Sequence, residues 1–197
     1  MRETFDIAGR HFVRETLPSC AADEVRMVRD GWFFADRTVK TSIPLTKVAM
    51  DLKRFQRLPM EETDGFRDDI FRIAQASFTQ DRRFHVAPEC NPAISAAVLR
   101  TWVDALGPTQ VCFFREKPVG FLNLKGNFVH LAAVEERSRA TGAALGLYAR
   151  AIEVAREKGF QSLEGRVSTL NMPALNLWTF FGAQFSDPED TFLKELP

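Results

Sequence analysis

Glu135-Glu136-Arg137-Ser138-Arg139-Ala140-Thr141-Gly142-Ala143-Ala144 is the stretch on which the reading of this chain turns. Before it, residues 127–134 are apolar and β-prone. After it, residues 142–157 carry apolar side chains on a helical repeat and end in Lys158-Gly159, a basic last turn followed by glycine. A strand therefore feeds a long amphipathic helix through a turn of small residues. Small side chains at 140–144 let backbone approach a ligand closely, and the unpaired N–H groups of a helix start, aided by its dipole, suit a pyrophosphate. Taken alone, with Gly142 its only glycine, the turn reads as an ordinary strand-to-helix connection. Its context has to decide.

Outward from this stretch, periodicity and breakers mark further elements. Residues 21–29 predict a short helix, Asp30-Gly31 a turn, and residues 32–45 an extended run rich in β-branched and aromatic side chains. Residues 51–62 read as a charged connector and residues 68–76 as a helix. Asn91 and Pro92 start a second helix that runs to Leu106 and is stopped by Gly107-Pro108. Strands over 110–115 and 118–124 are separated by Glu116-Lys117, a hairpin pattern, and the strand over 127–134 follows Lys125-Gly126. Beyond the central helix come a strand over 162–167, a helix over 172–181 ending near Gly182, and a last strand over 191–196. This order predicts an α+β fold, a mostly antiparallel mixed sheet flanked by helices. Residues 1–62 form a small N-terminal α/β extension and residues 63–197 the main domain.

Composition narrows the function classes. Lys plus Arg and Asp plus Glu both number 26, so no global field recruits nucleic acid or an anionic membrane, and a small-molecule partner is expected. Met1-Arg2-Glu3-Thr4 opens with mixed charge, and no run of about 20 apolar residues follows, so neither a secretory signal nor a membrane span is read. Cys20, Cys90 and Cys112 are far apart and odd in number, which fits reduced thiols and a cytoplasmic location rather than a disulfide framework. The histidines stand singly, and no metal site is expected. A homodimer is compatible with these features.

Arg139-Ala140-Thr141-Gly142-Ala143-Ala144 resembles the Arg/Gln-x-x-Gly-x-Gly/Ala pyrophosphate motif of the GNAT superfamily of acyl-CoA N-acyltransferases, and Val134-Glu135 stands where that family has Val-Asp or Val-Glu. Downstream, Asn171-Met172-Pro173-Ala174-Leu175-Asn176-Leu177-Trp178-Thr179-Phe180-Phe181-Gly182-Ala183 is similar to the family's Asn-x-x-Ala-x-x-Leu-Tyr-x-x-x-Gly-Phe. The resemblance implies acetyl-CoA as the acyl donor. It also implies a strand ending at Val134 that splays from its neighbour, exposing backbone of Ala132, Ala133 and Val134 to the pantetheine arm. The family pattern places Arg137, Arg139 and the 140–144 turn at the phosphates, and Asn171, Ala174 and Trp178 beside the cofactor.

Acetyl transfer needs an uncharged amine and a means of protonating the leaving thiolate. Relatives use a tyrosine where this chain has Trp178, and an indole N–H is no useful proton donor. Trp178 is therefore expected to pack or to touch pantetheine, with water protonating the thiolate. Tyr148, the only tyrosine, falls inside the helix and suits packing. His130 is the candidate base: strand alternation puts it on one face with Phe128 and Ala132, and its place resembles that of a catalytic histidine in arylalkylamine acetyltransferases. The same position suits a half-buried histidine hydrogen-bonded in the sheet. Ala76-Ser77-Phe78-Thr79-Gln80-Asp81-Arg82-Arg83-Phe84-His85, before a helix containing Trp102, resembles a segment of the dTDP-fucosamine acetyltransferase group, and Gly31-Trp32-Phe33-Phe34-Ala35-Asp36-Arg37 resembles the end of its N-terminal domain. That narrower likeness implies a nucleotide-linked amino sugar as acceptor, with Arg82, Arg83, His85 and Phe128 on the acceptor side. Without it, 82–85 reads as a solvated basic loop.

Overall fold

The helix expected after the small-residue turn runs over Ala143–Glu157, and the strand that feeds it over Phe128–Val134. Both belong to a computed structural model that describes residues 1–7, 9–79 and 92–196. In chain order the strands are β1 (Arg2–Ile7), β2 (Arg10–Pro18), β3 (Phe33–Pro44), β4 (Met60–Thr63), β5 (Thr109–Phe114), β6 (Lys117–Lys125), β7 (Phe128–Val134), β8 (Ser162–Ser168) and β9 (Gln184–Leu196). The α-helices are α1 (Ala21–Arg29), α2 (Arg67–Ser77), α3 (Pro92–Asp104), α4 (Ala143–Glu157) and α5 (Met172–Phe180). Among the described residues the nine strands form one sheet in the order β1-β2-β9-β3-β8-β7-β6-β5-β4. Every pairing is antiparallel except β7 with β8.

The residues read as an N-terminal extension supply β1, β2 and β3 of this same sheet, and β3 lies inside it, between β8 and β9. The β1–β2 hairpin went unread because charged residues on both sides of Phe5, Phe12 and Val13 mask the strand period. Phe5 stacks on Phe12, and Phe12 and Val13 are fully buried, while Arg14 with Glu3 and Arg2 with Glu15 pair across the two strands. The connector read over 51–62 contains a 3₁₀ turn at Lys53–Phe55 and the edge strand β4, which pairs with β5. The β5–β6 turn sits one residue earlier than expected: Arg115 and Glu116 both have positive φ, the requirement of a tight two-residue hairpin. Strand β9 starts before its expected position, the sequence signal having been interrupted at Asp187-Pro188, where Asp187 has a φ of 46°.

Two apolar clusters lie on opposite faces of the sheet. Leu147 and Ile152 of α4 pack with Leu163 of β8, Trp178 of α5 and Phe181 on one face. Ile70 and Ile73 of α2 pack with Val98 and Val103 of α3 and with Phe121 and Leu131 on the other. Gly146 admits the connector to α4, since a Cβ there would stand 2.9 Å from the Phe55 carbonyl oxygen.

Candidate active site

Strands β7 and β8 start side by side and then part. Their parallel register holds only for Phe128 with Glu164 and Val129 with Gly165, so a wedge opens toward the C-terminal ends of both strands. Antiparallel alternation tells which backbone groups face that wedge. Glu135 N–H donates to the Val119 carbonyl at 2.8 Å, so residues 135 and 133 are the ones whose polar groups turn toward β6. Those of Ala132 and Val134 then turn away from β6, toward the gap that β8 has left. The Ser77 hydroxyl donates to the Val134 carbonyl at 3.3 Å, from outside the ladder.

The chain leaves β7 as a 3₁₀ segment over Glu136–Thr141, closed by the Thr141 hydroxyl donating to the Ser138 carbonyl at 2.6 Å. Gly142 then turns at φ 82° and ψ 8°, a left-handed conformation that favours glycine. It starts α4 with no side-chain cap, and the first intrahelical bond runs from Gly146 N–H to the Gly142 carbonyl. The N–H groups of the first turn, at Ala143, Ala144 and Leu145, therefore have no intrahelical acceptor. A Cβ at Gly142 would meet nothing within 4 Å, so the ground beside this helix start is open. Ala140 is exposed, Thr141 and Ala144 are half-buried, and Ala143 is buried in the core. Parallel strands thus end at helix N-termini, the arrangement that gathers anions at the carboxyl edge of a sheet.

Glu135 holds the turn in place. Its buried carboxylate accepts from Arg72 of α2 and, at 2.9 Å, from Arg137 Nε. Burial would raise its pKa, but the hydrogen bonds from Arg137 and Arg72 outweigh that and keep it below the usual carboxylate range. Arg137 is thereby engaged with Glu135, while Arg139 lies exposed on the turn. At the second strand end Asn171 caps α5, its side-chain oxygen accepting from Ala174 N–H at 3.1 Å, with Ala174 half-buried beside it. Trp178 is 1% exposed and offers a ligand almost no surface. It packs edge-on to Tyr148 at 5.3 Å and covers Gly165, whose missing side chain makes room for it. Among the described residues its Nε1 makes no hydrogen bond of normal geometry, yet it lies near enough to the Tyr148 hydroxyl to counter part of the rise that burial imposes on that phenol.

His130 stands at the opening of the wedge, one residue past the last paired position of β7. The β6–β7 register jumps from Asn123 with Leu131 to Leu124 with Val129, which leaves His130 as the extra residue of a β-bulge. The bulge corrects the simple alternation: Ala132 packs toward the α4 cluster, whereas His130 stacks on Trp102 of α3, on the opposite face, at 5.8 Å and 11°. Lys125 Nζ lies 3.3 Å from His130 Nε2. An ammonium only donates, so Nε2 accepts and the ring hydrogen is assigned to Nδ1, which is buried with no hydrogen-bond partner among the described residues. Burial first, and then the Lys125 charge, lower the His130 pKa and keep the ring neutral at neutral pH. Phe128 is half-buried at the closed end of the wedge. Arg82, Arg83 and His85 lie outside the described residues.

Lys125, Arg72 and the bulge went unread in the sequence. Glu135, a carboxylate directly after an apolar strand, was the one available pointer to a buried charge with a cation partner.

No family model and no curated protein matches the chain. Solved structures do. A GCN5-related N-acetyltransferase from Sphaerobacter thermophilus superposes with a TM-score of 0.59 at 14% identity, over 94% of this chain and 60% of that one. A GNAT-family acetyltransferase from Novosphingobium aromaticivorans gives 0.59 at 11% identity, over 96% and 75%. A GCN5-related glucosamine N-acetyltransferase region of a fungal multi-domain β-N-acetylglucosaminidase gives 0.58 at 12% identity, over 90% and 24%. The chain has the GNAT fold. Among the described residues no helix is long and apolar enough to cross a membrane, and no group of three or more His, Cys, Asp or Glu side chains is placed to hold a metal ion.

Proposed function

We propose that this chain is an N-acyltransferase that moves an acetyl group from acetyl-CoA to a primary amine. The observation that carries the reading is the wedge between β7 and β8, which presents the backbone of Ala132 and Val134 and opens toward the uncapped start of α4 at Gly142. The residues present fit the donor. The first-turn N–H groups and Arg139 suit a pyrophosphate, and the backbone of Ala132 and Val134 suits the amides of a pantetheine arm. Bound there, acetyl-CoA supplies a thioester carbonyl that an amine attacks, the C–N bond forming as the C–S bond breaks. His130 accepts the proton that the amine loses: its lowered pKa keeps it neutral, and it faces the side of the sheet away from α4. The accepting lone pair is on Nε2, so the exposed Lys125 side chain must swing aside as the proton arrives. Trp178, buried against Gly165, supports the wall of the wedge and supplies no proton.

The acceptor reading rests on likeness. The dTDP-fucosamine acetyltransferase resemblance and the likeness of fold to a glucosamine N-acetyltransferase region both favour an amino sugar. A cytoplasmic enzyme acting on a soluble metabolite fits the charge balance and cysteine usage. Calorimetric titration with acetyl-CoA, followed by thiol-release rates over a panel of amino sugars, amino acids and polyamines, tests the proposal. Saturable binding with amine-dependent thiol release supports it. Binding without transfer to any amine leaves a module that only holds acyl-CoA, and no binding removes the wedge reading.

A further inference from the structure

Beyond His130, on the same face of the sheet, the N-terminal hairpin, β8, β9 and α3 enclose a trough of about 330 Å³. Its polar walls are Arg14 and Glu3 from the hairpin, Arg166 from β8, and Glu189 and Thr191 from β9, with Trp102 of α3 at one side. It adjoins the wedge. Val129 with Gly165 is the last paired position of β7 and β8, so the next residue on each strand is His130 and Arg166 respectively. Val129 packs into the α4 cluster and a Cβ at Gly165 would meet Trp178 of α5, so Arg166 turns to the other face, the one on which His130 meets Trp102. The Trp102 ring joins the two regions, with His130 stacked at 5.8 Å and the Arg14 guanidinium 5.7 Å from its centroid.

The charges of the trough are unequally exposed. Arg14 and Arg166 side chains are 22% and 25% exposed, whereas their partners Glu3 and Glu189 are 44% and 34% exposed. The guanidinium is thus the less exposed member of each pair and the carboxylate the more exposed. A partly exposed ion pair contributes little, so an entering anion exchanges with the carboxylate at small cost and gains a planar fork of donors. Arg166 also donates to the Asp187 carbonyl at 3.0 Å, which fixes its direction.

Resting on the acyltransferase reading, we infer that the trough is the acceptor pocket and that Arg14 and Arg166 select an amine bearing an anionic group, a carboxylate or a phosphate. The amine then lies toward His130 and the anion toward the hairpin. The N-terminal segment, which lies across the sheet from the donor turn, becomes the specificity element.

The test uses matched amines that differ in the anion: glucosamine against glucosamine 6-phosphate, and phenylalaninol against phenylalanine. The ratio of KM values within each pair is read by thiol release with saturating acetyl-CoA, so a partial loss of folded protein cancels. At least one pair should favour its anionic member tenfold or more, and Arg166→Gln and, separately, Arg14→Gln should bring that ratio toward one. The pair that responds tells phosphate from carboxylate. Ratios near one in the unaltered protein, or a preference that survives both substitutions, overturn the inference while the acyltransferase reading stands. If no amine is acetylated, that reading fails, and calorimetry with glucosamine 6-phosphate and phenylalanine decides the trough. Binding that is lost in Arg166→Gln keeps it as an anion site, and absence of binding removes it.

Discussion

Replacing Gly165 with alanine puts a methyl group where the structure has no space. The new Cβ would stand 2.6 Å from Trp178 Cζ2, 3.0 Å from Cη2 and 3.2 Å from Thr41 Oγ1. The indole cannot withdraw, being 1% exposed and held by Tyr148 and the core around Phe181. Forcing a methyl into such packing costs about 1–3 kcal/mol. Trp178→Phe removes both clashing carbons, which belong to the six-membered ring of the indole, and leaves a void with its own cost. In the double variant the methyl enters that void. Its stability loss should therefore fall short of the sum of the single losses by about 1 kcal/mol or more. Urea denaturation of the four proteins at constant m measures the coupling. Losses that add to within about 0.5 kcal/mol would refute the claim that Trp178 is there to cover Gly165, and would reopen a ligand-contacting role for the indole.

The other predictions concern the wedge and His130. Gly142→Asn keeps a residue that tolerates the left-handed turn but fills the open ground beside it, so acetyl-CoA affinity should fall at least about tenfold, ~1.4 kcal/mol, with the fold intact. Unchanged calorimetric affinity would put the pyrophosphate elsewhere. His130→Ala should lower turnover roughly 10² or more with acetyl-CoA affinity nearly intact, and the deficit should shrink at high pH, where the free amine is already neutral. Lys125→Met removes the second cause of the lowered His130 pKa; the pKa rises, the neutral ring appears only at higher pH, and the acid limb of the rate profile should move up. An unmoved limb would separate the titrating base from His130.

The central part of the fold was legible because its signals are local. Helix α1 lies where periodicity put it, and α4 and β7 agree with their expected spans to within one residue, each bounded by glycine or a period change. The hairpin β1–β2 gave no such signal, since Arg2, Glu3, Arg14 and Glu15 read as solvated surface until their partners are known and mask the short apolar pairing of Phe5 with Phe12. For the site, Gly142 was visible as the glycine of a strand-to-helix turn and Asn171 through the family motif, while the capping role of Asn171 was not read. The bulge at His130 was not, because one extra residue in a ladder leaves no mark in composition. Nor was the joint engagement of Glu135 by Arg137 and by Arg72, the latter from a helix more than sixty residues earlier in the chain.

The position of β3 between β8 and β9 bears on synthesis. As the chain emerges from the ribosome, β3 is made long before both of its neighbours, and β2 must wait for β9 on its inner side. Pairings of such sequence separation form slowly, since loop closure is unfavourable until they lock. The strands of the first 44 residues therefore pass translation with at least one open edge, and the sheet knits only once residues 184–196 have cleared the exit tunnel. Holding those early strands out of other pairings falls to their own side chains. The arginines and glutamates that line β1 and β2 guard against aggregation before they serve as ion pairs.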